Sequence, residues 1–247
     1  MAEDIRSIDV EGRGEQAMTG RRRSRVRRWR PLTVAAVLGL SVSLSGCFGS
    51  SFAYFSHRGS NGLEMYFKVP SKWNTFSAKQ LIEAANGPLS QSQINQITAG
   101  QWEMTFSAAP HPSDKQFIAE GSDYPNGVVF AKQLSENDRD ALSFAALRTL
   151  ILSQDPLAAS STSATSTLYN VLNYSEFTRP GGIRGSKLVT DINASKGLVE
   201  TFAQVVAVDP ATNYVYGLGL ACRASCWGTN SGLINQVLNS WNLKEKS

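Results

Sequence analysis

Four consecutive segments in the second half of the chain alternate apolar and polar residues with a period of two. They lie near 168–178, 183–193, 198–208 and 213–222. Successive strand side chains point to opposite faces, so this period indicates strands rather than helices. Turn-forming residues separate the segments at 179–182, 195–197 and 209–213. The pattern therefore predicts an antiparallel meander.

The last of these strands differs in size between its two faces. Its larger side chains fall on one face, at Tyr214, Tyr216, Leu218 and Leu220. Smaller residues fall on the other, at Val215, Gly217, Gly219 and Ala221. A strand of this kind can be covered on both faces, and we expect a helix or another backbone to approach the small face closely.

The first half of the domain mixes strands with short helices. Period-two alternation predicts strands over 63–70, 102–108 and 127–134. Ser77 is a typical N-cap residue and indicates a helix through about Ala85, and a second helix is expected over 90–99.

Two further helices are predicted. Ser135 is an N-cap candidate, with Glu136 and Asp138 in the first turn to complement the helix dipole, and this helix is expected to run, substantially buried, to about Leu152. A Ser/Thr/Ala-rich stretch over 158–167 is expected to be a loop. A final amphipathic helix should begin around Gly228; its apolar side chains occupy one stripe, formed by Leu233, Ile234, Val237, Leu238 and Trp241. The fold class is therefore α+β, an antiparallel sheet with helices packed on it, in a single domain over 63–247.

The N-terminal segment has the organisation of an export signal. Residues 1–30 contain nine arginines, and residues 31–44 contain no charge. Fourteen uncharged residues are too few to cross a bilayer, which takes about 20, but they match the apolar region of a signal peptide. A buried core helix is the alternative, which the adjoining arginine cluster disfavours. We therefore predict a lipoprotein signal peptide with a long basic n-region over 1–46.

The end of the apolar run indicates which kind of signal this is. The residues from Leu44 to Cys47, "LSGC", resemble the bacterial lipobox. This resemblance implies that the sulfur of Cys47 is lipidated and that cleavage leaves Cys47 as the first residue. Several acyl chains give stable anchoring, so we expect the protein on the outer face of the cell membrane. The arginine pairs leave twin-arginine export as an alternative to the ordinary route, and Met18 is an alternative start.

The overall charge does not indicate a nucleic-acid partner. The chain has 24 basic and 20 acidic residues. Residues 1–30 hold nine arginines and five acidic residues, which leaves 15 of each sign for the rest of the chain. The basicity thus belongs to the predicted signal, and we expect no phosphate-binding surface of the kind that binds nucleic acid.

Residues 47–62 are predicted to be a lipidated cysteine and a tether. Gly, Ser and Asn are frequent there, as in flexible linkers. Aromatic residues are interspersed, at Phe48, Phe52, Tyr54 and Phe55. Two interpretations remain open: rings that lie in the lipid interface beside the anchor, or a disordered segment that contains some aromatics.

Three phrases of the sequence resemble PsbP/Mog1-like domains of exported actinobacterial lipoproteins. They are "MYFKVPSKW", "GGIRGSKLVTDI" and "NYVYGLGLACRASCWGTNSGLINQVLNSWNLKE", and the likeness spans roughly residues 62–247. The resemblance implies a non-enzymatic module that binds or assembles an envelope protein or lipid. A fold alone does not determine the ligand.

Residues suited to catalysis are few. The chain has two histidines, His57 in the predicted tether and His111 between two prolines. An envelope hydrolase using His111, with Asp114 nearby, is the alternative function, although no Gly-x-Ser-x-Gly elbow occurs. Cys222 and Cys226 would need two further ligands to hold a metal. We expect no catalytic residue, no metal and no cofactor.

The stretch 179–187, "RPGGIRGSK", departs from the spacing of a phosphate-binding loop. Its cations Arg179, Arg184 and Lys187 are candidates for binding an anionic head group, whereas a solvated hairpin is the alternative.

Cys222 and Cys226 are predicted to form a disulfide. Export places them in an oxidising compartment, and the lipid on Cys47 leaves an even pair. A disulfide needs Cα atoms about 4.4–6.8 Å apart, so the strand must end near Cys222 and curl. A redox-active pair is the alternative, although the spacing is one residue longer than Cys-x-x-Cys.

Overall fold

A computed structural model describes residues 51–112, 121–158, 168–194 and 197–245. The predicted signal over 1–46 and the candidate lipidation site Cys47 lie outside the described residues. Residues 47–247 form one compact unit. It contains every described strand and helix and the whole described core, so this segment can be studied apart from 1–46.

The described residues form ten strands, five α-helices and one short 3₁₀ helix, Pro180–Gly182. The strands are β1 (Phe52–Arg58), β2 (Leu63–Pro70), β3 (Asn74–Ser77), β4 (Gln101–Ser107), β5 (Asn126–Gln133), β6 (Tyr169–Thr178), β7 (Arg184–Asn193), β8 (Val199–Val208), β9 (Tyr214–Arg223) and β10 (Asn242–Glu245). The helices are α1 (Ala78–Asn86), α2 (Gln91–Ile97), α3 (Glu136–Asp140), α4 (Phe144–Arg148) and α5 (Ala224–Ser240).

The strands form two antiparallel sheets. The larger has seven strands in the order β3-β4-β5-β9-β8-β7-β6, and the smaller has three in the order β1-β2-β10. Strands β6 to β9 pair in sequence with their neighbours, which confirms the predicted meander and the α+β class. The turn over 209–213 is closed by Asp209, whose carboxylate accepts the backbone N–H groups of Asn213 and Tyr214 at 2.7 and 2.8 Å.

Both faces of β9 are covered, as its sequence predicts. Leu218 and Leu220 belong to the main core, which the small sheet and α5 complete on one side. On the opposite face, a Cβ added to Gly219 would lie 2.7 Å from Cδ1 of Ile151. A side chain from the segment that follows residue 148, rather than the expected helix or backbone, therefore approaches the small-residue face closely.

The predicted helix over 135–152 is wrong in its extent. Ser135 caps α3 as expected, with Glu136 and Asp138 in the first turn, but α3 ends at Asp140. A second N-cap, Ser143, accepts the N–H of Ala146 at 3.1 Å and starts α4. The capping serine favours a new helix over continuation of the first. The segment is also less buried than predicted, because α3 buries no residue.

The predicted tether over 47–62 is wrong for residues 52–58. These residues form β1, which pairs with β2 along its whole length, from Phe52 opposite Pro70 to Arg58 opposite Glu64. Phe55 faces inward and stacks on Phe67 with ring centroids 5.3 Å apart. Apolar burial and ladder hydrogen bonds thus order a segment whose composition resembles a linker.

The last helix begins earlier than predicted. β9 continues through Arg223 and α5 starts at Ala224, rather than around Gly228. Ile234, Val237 and Trp241 of the predicted apolar stripe are buried, and they pack the helix against the main core.

Candidate functional site

The structure places the cysteine pair at disulfide distance. Cys222 is the last residue but one of β9 and Cys226 lies in the first turn of α5, with Cα atoms 6.0 Å apart. The chain changes direction at the junction of β9 and α5, where Arg223 is the N-cap residue, and this junction supplies the curl that the pairing needs. Both cysteines are buried, at 0% and 7% exposure, so a disulfide between them joins the strand to the helix inside the core when it forms.

The three cations of the 179–187 stretch do not converge. The Arg179 guanidinium donates to the side chain of Asn242 and lies over the rings of Phe177 and Trp241. Arg184 and Lys187 are exposed and sit three positions apart on β7, so they project from opposite faces of the sheet. Arg179 is therefore occupied in packing, and the stretch lacks a shared anion-binding point.

The two histidines occupy different environments. His57 lies on the inward face of β1 and stacks on Trp102 at 4.4 Å, and partial burial lowers its pKa. His111 is exposed in a bend, and Asp114 lies outside the described residues. Across the described parts of the chain, no group of three or more His, Cys, Asp or Glu side chains could hold a metal ion.

A cavity of about 640 Å³ opens on the face of the large sheet opposite α5. Its floor is formed by β4, β5, β9 and β8. α1 forms one wall and the segment that follows α4 forms the other. Its volume lies within the range of about 300–1,000 Å³ that is typical of small-molecule sites.

The lining of the cavity is mainly apolar. The apolar side chains are those of Leu81, Ile82, Ala85, Val128, Ile151, Leu152, Phe202 and Ala221. Among the described residues that line it, Glu103 and Glu200 are acidic and none is basic. The cavity therefore suits a largely apolar molecule, and the negative electrostatic potential of its two carboxylates disfavours an anion.

Two sets of polar contacts hold the segment that follows α4 and forms one wall of the cavity. Gln204, on β8, donates its amide N–H groups to the carbonyl oxygens of Leu147 and Arg148 at 3.3 and 3.2 Å. The guanidinium of Arg148 donates to both carboxylate oxygens of Asp155 at 2.6 and 2.7 Å.

These contacts brace the loop on both of its sides. Arg148 also donates to the hydroxyl of Tyr174 on β6, at 2.7 Å. The hydrogen bond from Arg148 is the main reason that the pKa of Asp155 lies below its ordinary value. Ile151 and Leu152 thus belong to a loop held by an ion pair rather than to a free lid.

Glu103 is the polar group that distinguishes the cavity. It projects from β4 on the same face as Thr105 and is partly buried. Burial raises the pKa of its carboxyl above the ordinary value. In the part of the chain that the structure describes, Glu103 forms no ion pair and accepts no hydrogen bond. A half-buried acceptor in apolar surroundings is stabilised by a ligand that brings a donor to it.

Thr105 lies beside Glu103 on the cavity floor. It is 5% exposed, and its hydroxyl has no hydrogen-bond partner among the described residues. Burying a hydroxyl without a partner costs about 1–3 kcal/mol. This position therefore lowers the stability of the domain.

The sequence carried part of the signal for this site. Alternation over 102–108 correctly places Glu103 and Thr105 on one face of a strand, yet that face also fits a solvent-exposed surface. The convergence of α1, β8 and the loop after α4 on this face joins residues that are far apart in sequence. No local pattern encodes it.

No protein-family model and no curated protein matches this chain. Solved structures similar to it include cyanobacterial PsbP (CyanoP) from Synechocystis, with 14% identity and a TM-score of 0.42 over 83% of this chain and 100% of that one. LpqN, involved in cell envelope biogenesis of Mycobacterium tuberculosis, has 14% identity and a TM-score of 0.40 over 78% and 91%. The Saccharomyces cerevisiae Ran-binding protein Mog1p has 7% identity and a TM-score of 0.38 over 78% and 96%. These likenesses concern the fold alone.

Proposed function

We propose that this protein is a non-enzymatic binding module of the cell envelope, held at the outer face of the membrane by lipid on Cys47. Its ligand is an amphipathic small molecule of the lipid class, seated in the cavity on the large sheet. The observation that carries the proposal is Glu103, a half-buried carboxyl without a partner among the described residues, at the edge of an apolar cavity.

The chemistry of the cavity defines the ligand class. Its apolar lining favours a hydrocarbon or ring portion through burial of apolar surface, at about 25 cal/mol per Å². Glu103 favours a hydroxyl or amine that donates a hydrogen bond, and the acidic lining opposes a negative group. A neutral or cationic amphiphile fits these features, whereas an anionic one does not.

The anchor rests on the lipobox-like sequence from Leu44 to Cys47. Among the described residues, no helix is long and apolar enough to span a membrane. In the full chain, globomycin or the change Cys47→Ala should alter processing and release the protein from membranes. A variant that stays in the membrane fraction with unaltered processing would show that Cys47 is not the anchor.

Two fluorescent probes with the same ring skeleton test the cavity. N-phenyl-1-naphthylamine is neutral and carries one N–H donor, and 1-anilinonaphthalene-8-sulfonate adds a negative charge. We expect residues 47–247 with Cys47→Ser to bind the neutral probe at least about tenfold more tightly than the sulfonate. Two like charges about 8 Å apart at an effective dielectric constant of about 20 repel by about 2 kcal/mol.

Matched substitutions locate the binding. Ala221 lines the cavity, so Ala221→Phe should fill part of it and abolish binding of the neutral probe. Ala211 is exposed in the 209–213 turn, so Ala211→Phe should leave binding unchanged. Glu103→Gln should reduce the discrimination against the sulfonate. Equal loss in both alanine variants, or undiminished binding in Ala221→Phe, would overturn the assignment of the cavity.

A further inference from the structure

The small sheet presents one face to the core and the other outward. Met65 and Phe67 of β2 and Leu243 of β10 are buried against the main core. Because side chains alternate along a strand, their neighbours form an outer face, defined as the outward-pointing side chains of β1, β2 and β10. The registers Tyr54 opposite Lys68 and Asn242 opposite Tyr66 place these residues together on it.

Aromatic rings are prominent on this outer face. Tyr54 is 80% exposed and Tyr66 is 39% exposed. Phe52 lies beside them, half-buried under the ammonium of Lys68, which is 4.3 Å from its ring centroid. The ammonium of Lys244 lies 5.9 Å from the centroid of Tyr66. Exposed tyrosines with flanking lysines are typical of groups at the boundary between water and hydrocarbon.

The charges of the outer face are unequal in sign. Arg58, Lys68 and Lys244 are basic and Glu64 is acidic, so three positive charges against one negative give a net charge of +2. The segment that follows residue 30 is neutral as a whole, with 15 basic and 15 acidic residues. This positive excess is therefore local, and it complements a surface of anionic lipid.

The position of the candidate anchor brings this face to the membrane. Phe52, which opens β1, lies five positions after Cys47, with four residues between them. Five extended residues span at most about 18 Å. A lipid on Cys47 would thus hold the start of β1 within that distance of the bilayer surface.

From this convergence we infer that the outer face of the β1–β2–β10 sheet lies on an anionic lipid bilayer, with its tyrosines in the headgroup region and its lysines against lipid phosphates. The inference rests on the proposed function for its anchor, although the contact itself does not require the lipid on Cys47. It also orients the domain, with the small sheet between the large sheet and the membrane.

Co-sedimentation with vesicles tests this contact without the anchor. Residues 47–247 with Cys47→Ser should bind phosphatidylcholine vesicles that contain phosphatidylglycerol more tightly than vesicles of phosphatidylcholine alone, and salt should weaken the binding. The double change Lys68→Glu and Lys244→Glu should lower the partition coefficient by at least about 30-fold. Tyr54→Ala should lower it several-fold without loss of the folded state.

The control has the same change in net charge elsewhere. Lys132 on β5 and Lys187 on β7 are exposed, and neither belongs to the outer face. The double change Lys132→Glu and Lys187→Glu should retain most of the binding. Equal loss in both double variants, equal binding to both vesicle types, or no binding to either would overturn the inference. Naphthylamine binding by the same samples reports the cavity separately, so each proposal can fail alone.

Discussion

Replacing Thr105 by Val should stabilise the domain, although the residue lies on a strand that is paired on both sides. The side chain is 5% exposed and its hydroxyl has no partner among the described residues. Valine has nearly the same shape and a high strand propensity, so the change removes the desolvation penalty and leaves no cavity. We expect a gain of about 1–2 kcal/mol in the free energy of unfolding. For a domain of this size, that gain raises Tm by about 2–8 °C.

The matched control is the same substitution at a hydroxyl that has partners. Thr190 is 0% exposed, and its Oγ1 lies 3.1 Å from the carbonyl oxygens of Asn170 and of Asp191. Thr190→Val should lower the free energy of unfolding by about 1 kcal/mol, because a buried hydrogen bond is lost. Urea unfolding followed by circular dichroism measures both. A destabilised Thr105→Val, or equal shifts in the two variants, would refute the reasoning.

Three further predictions concern groups around the cavity and the core. Burial raises the pKa of Glu103 in the folded state. Ionisation of Glu103 therefore destabilises the fold as the pH rises above the pKa that this residue has in the unfolded chain. Glu103→Gln should therefore stabilise the domain at about pH 8 but not at about pH 3, where both states are protonated; an equal effect at both values in urea unfolding would contradict this. Arg148→Met should lower the free energy of unfolding by about 3 kcal/mol, because Asp155 loses its ion-pair partner. The change should also weaken naphthylamine binding, because the loop after α4 loosens. A variant as stable as the parent would exclude a bracing role. Reduction of the disulfide between Cys222 and Cys226 should lower the free energy of unfolding by about 2 kcal/mol. Labelling of two free thiols in the absence of reductant would disprove the pairing.

The elements predicted correctly are those determined by local sequence. The four strands of the meander fall within about one residue of their predicted ends, because alternation and turn residues act over only a few positions. Ser77 and Ser135 cap helices as expected, since a serine side chain satisfies an N–H group of the next turn.

The elements predicted wrongly are those in which local signals compete or distant contacts decide. Ser143 interrupts an otherwise helical stretch, and the apolar pattern on both sides concealed that break. The polar turn after β1 looked like part of a linker. Its Asn61 is instead bound by Tyr216 and Asp209, about 150 residues away. The candidate site likewise depends on distant contacts, since the cavity around Glu103 is formed by elements that are remote from it in sequence.

Two-dimensional ¹H–¹⁵N NMR of residues 47–247 with Cys47→Ser, titrated with N-phenyl-1-naphthylamine, tests the central claim most directly. We predict that the largest shifts fall on amides of the cavity floor, such as those of Val128, Gly219 and Ala221. A second cavity is lined by residues of the turn after β1 and of the 209–213 turn, and the amide signals of Asn61 and Asp209 beside it should not shift. Shifts centred on that second cavity, or an unchanged spectrum, would contradict the account.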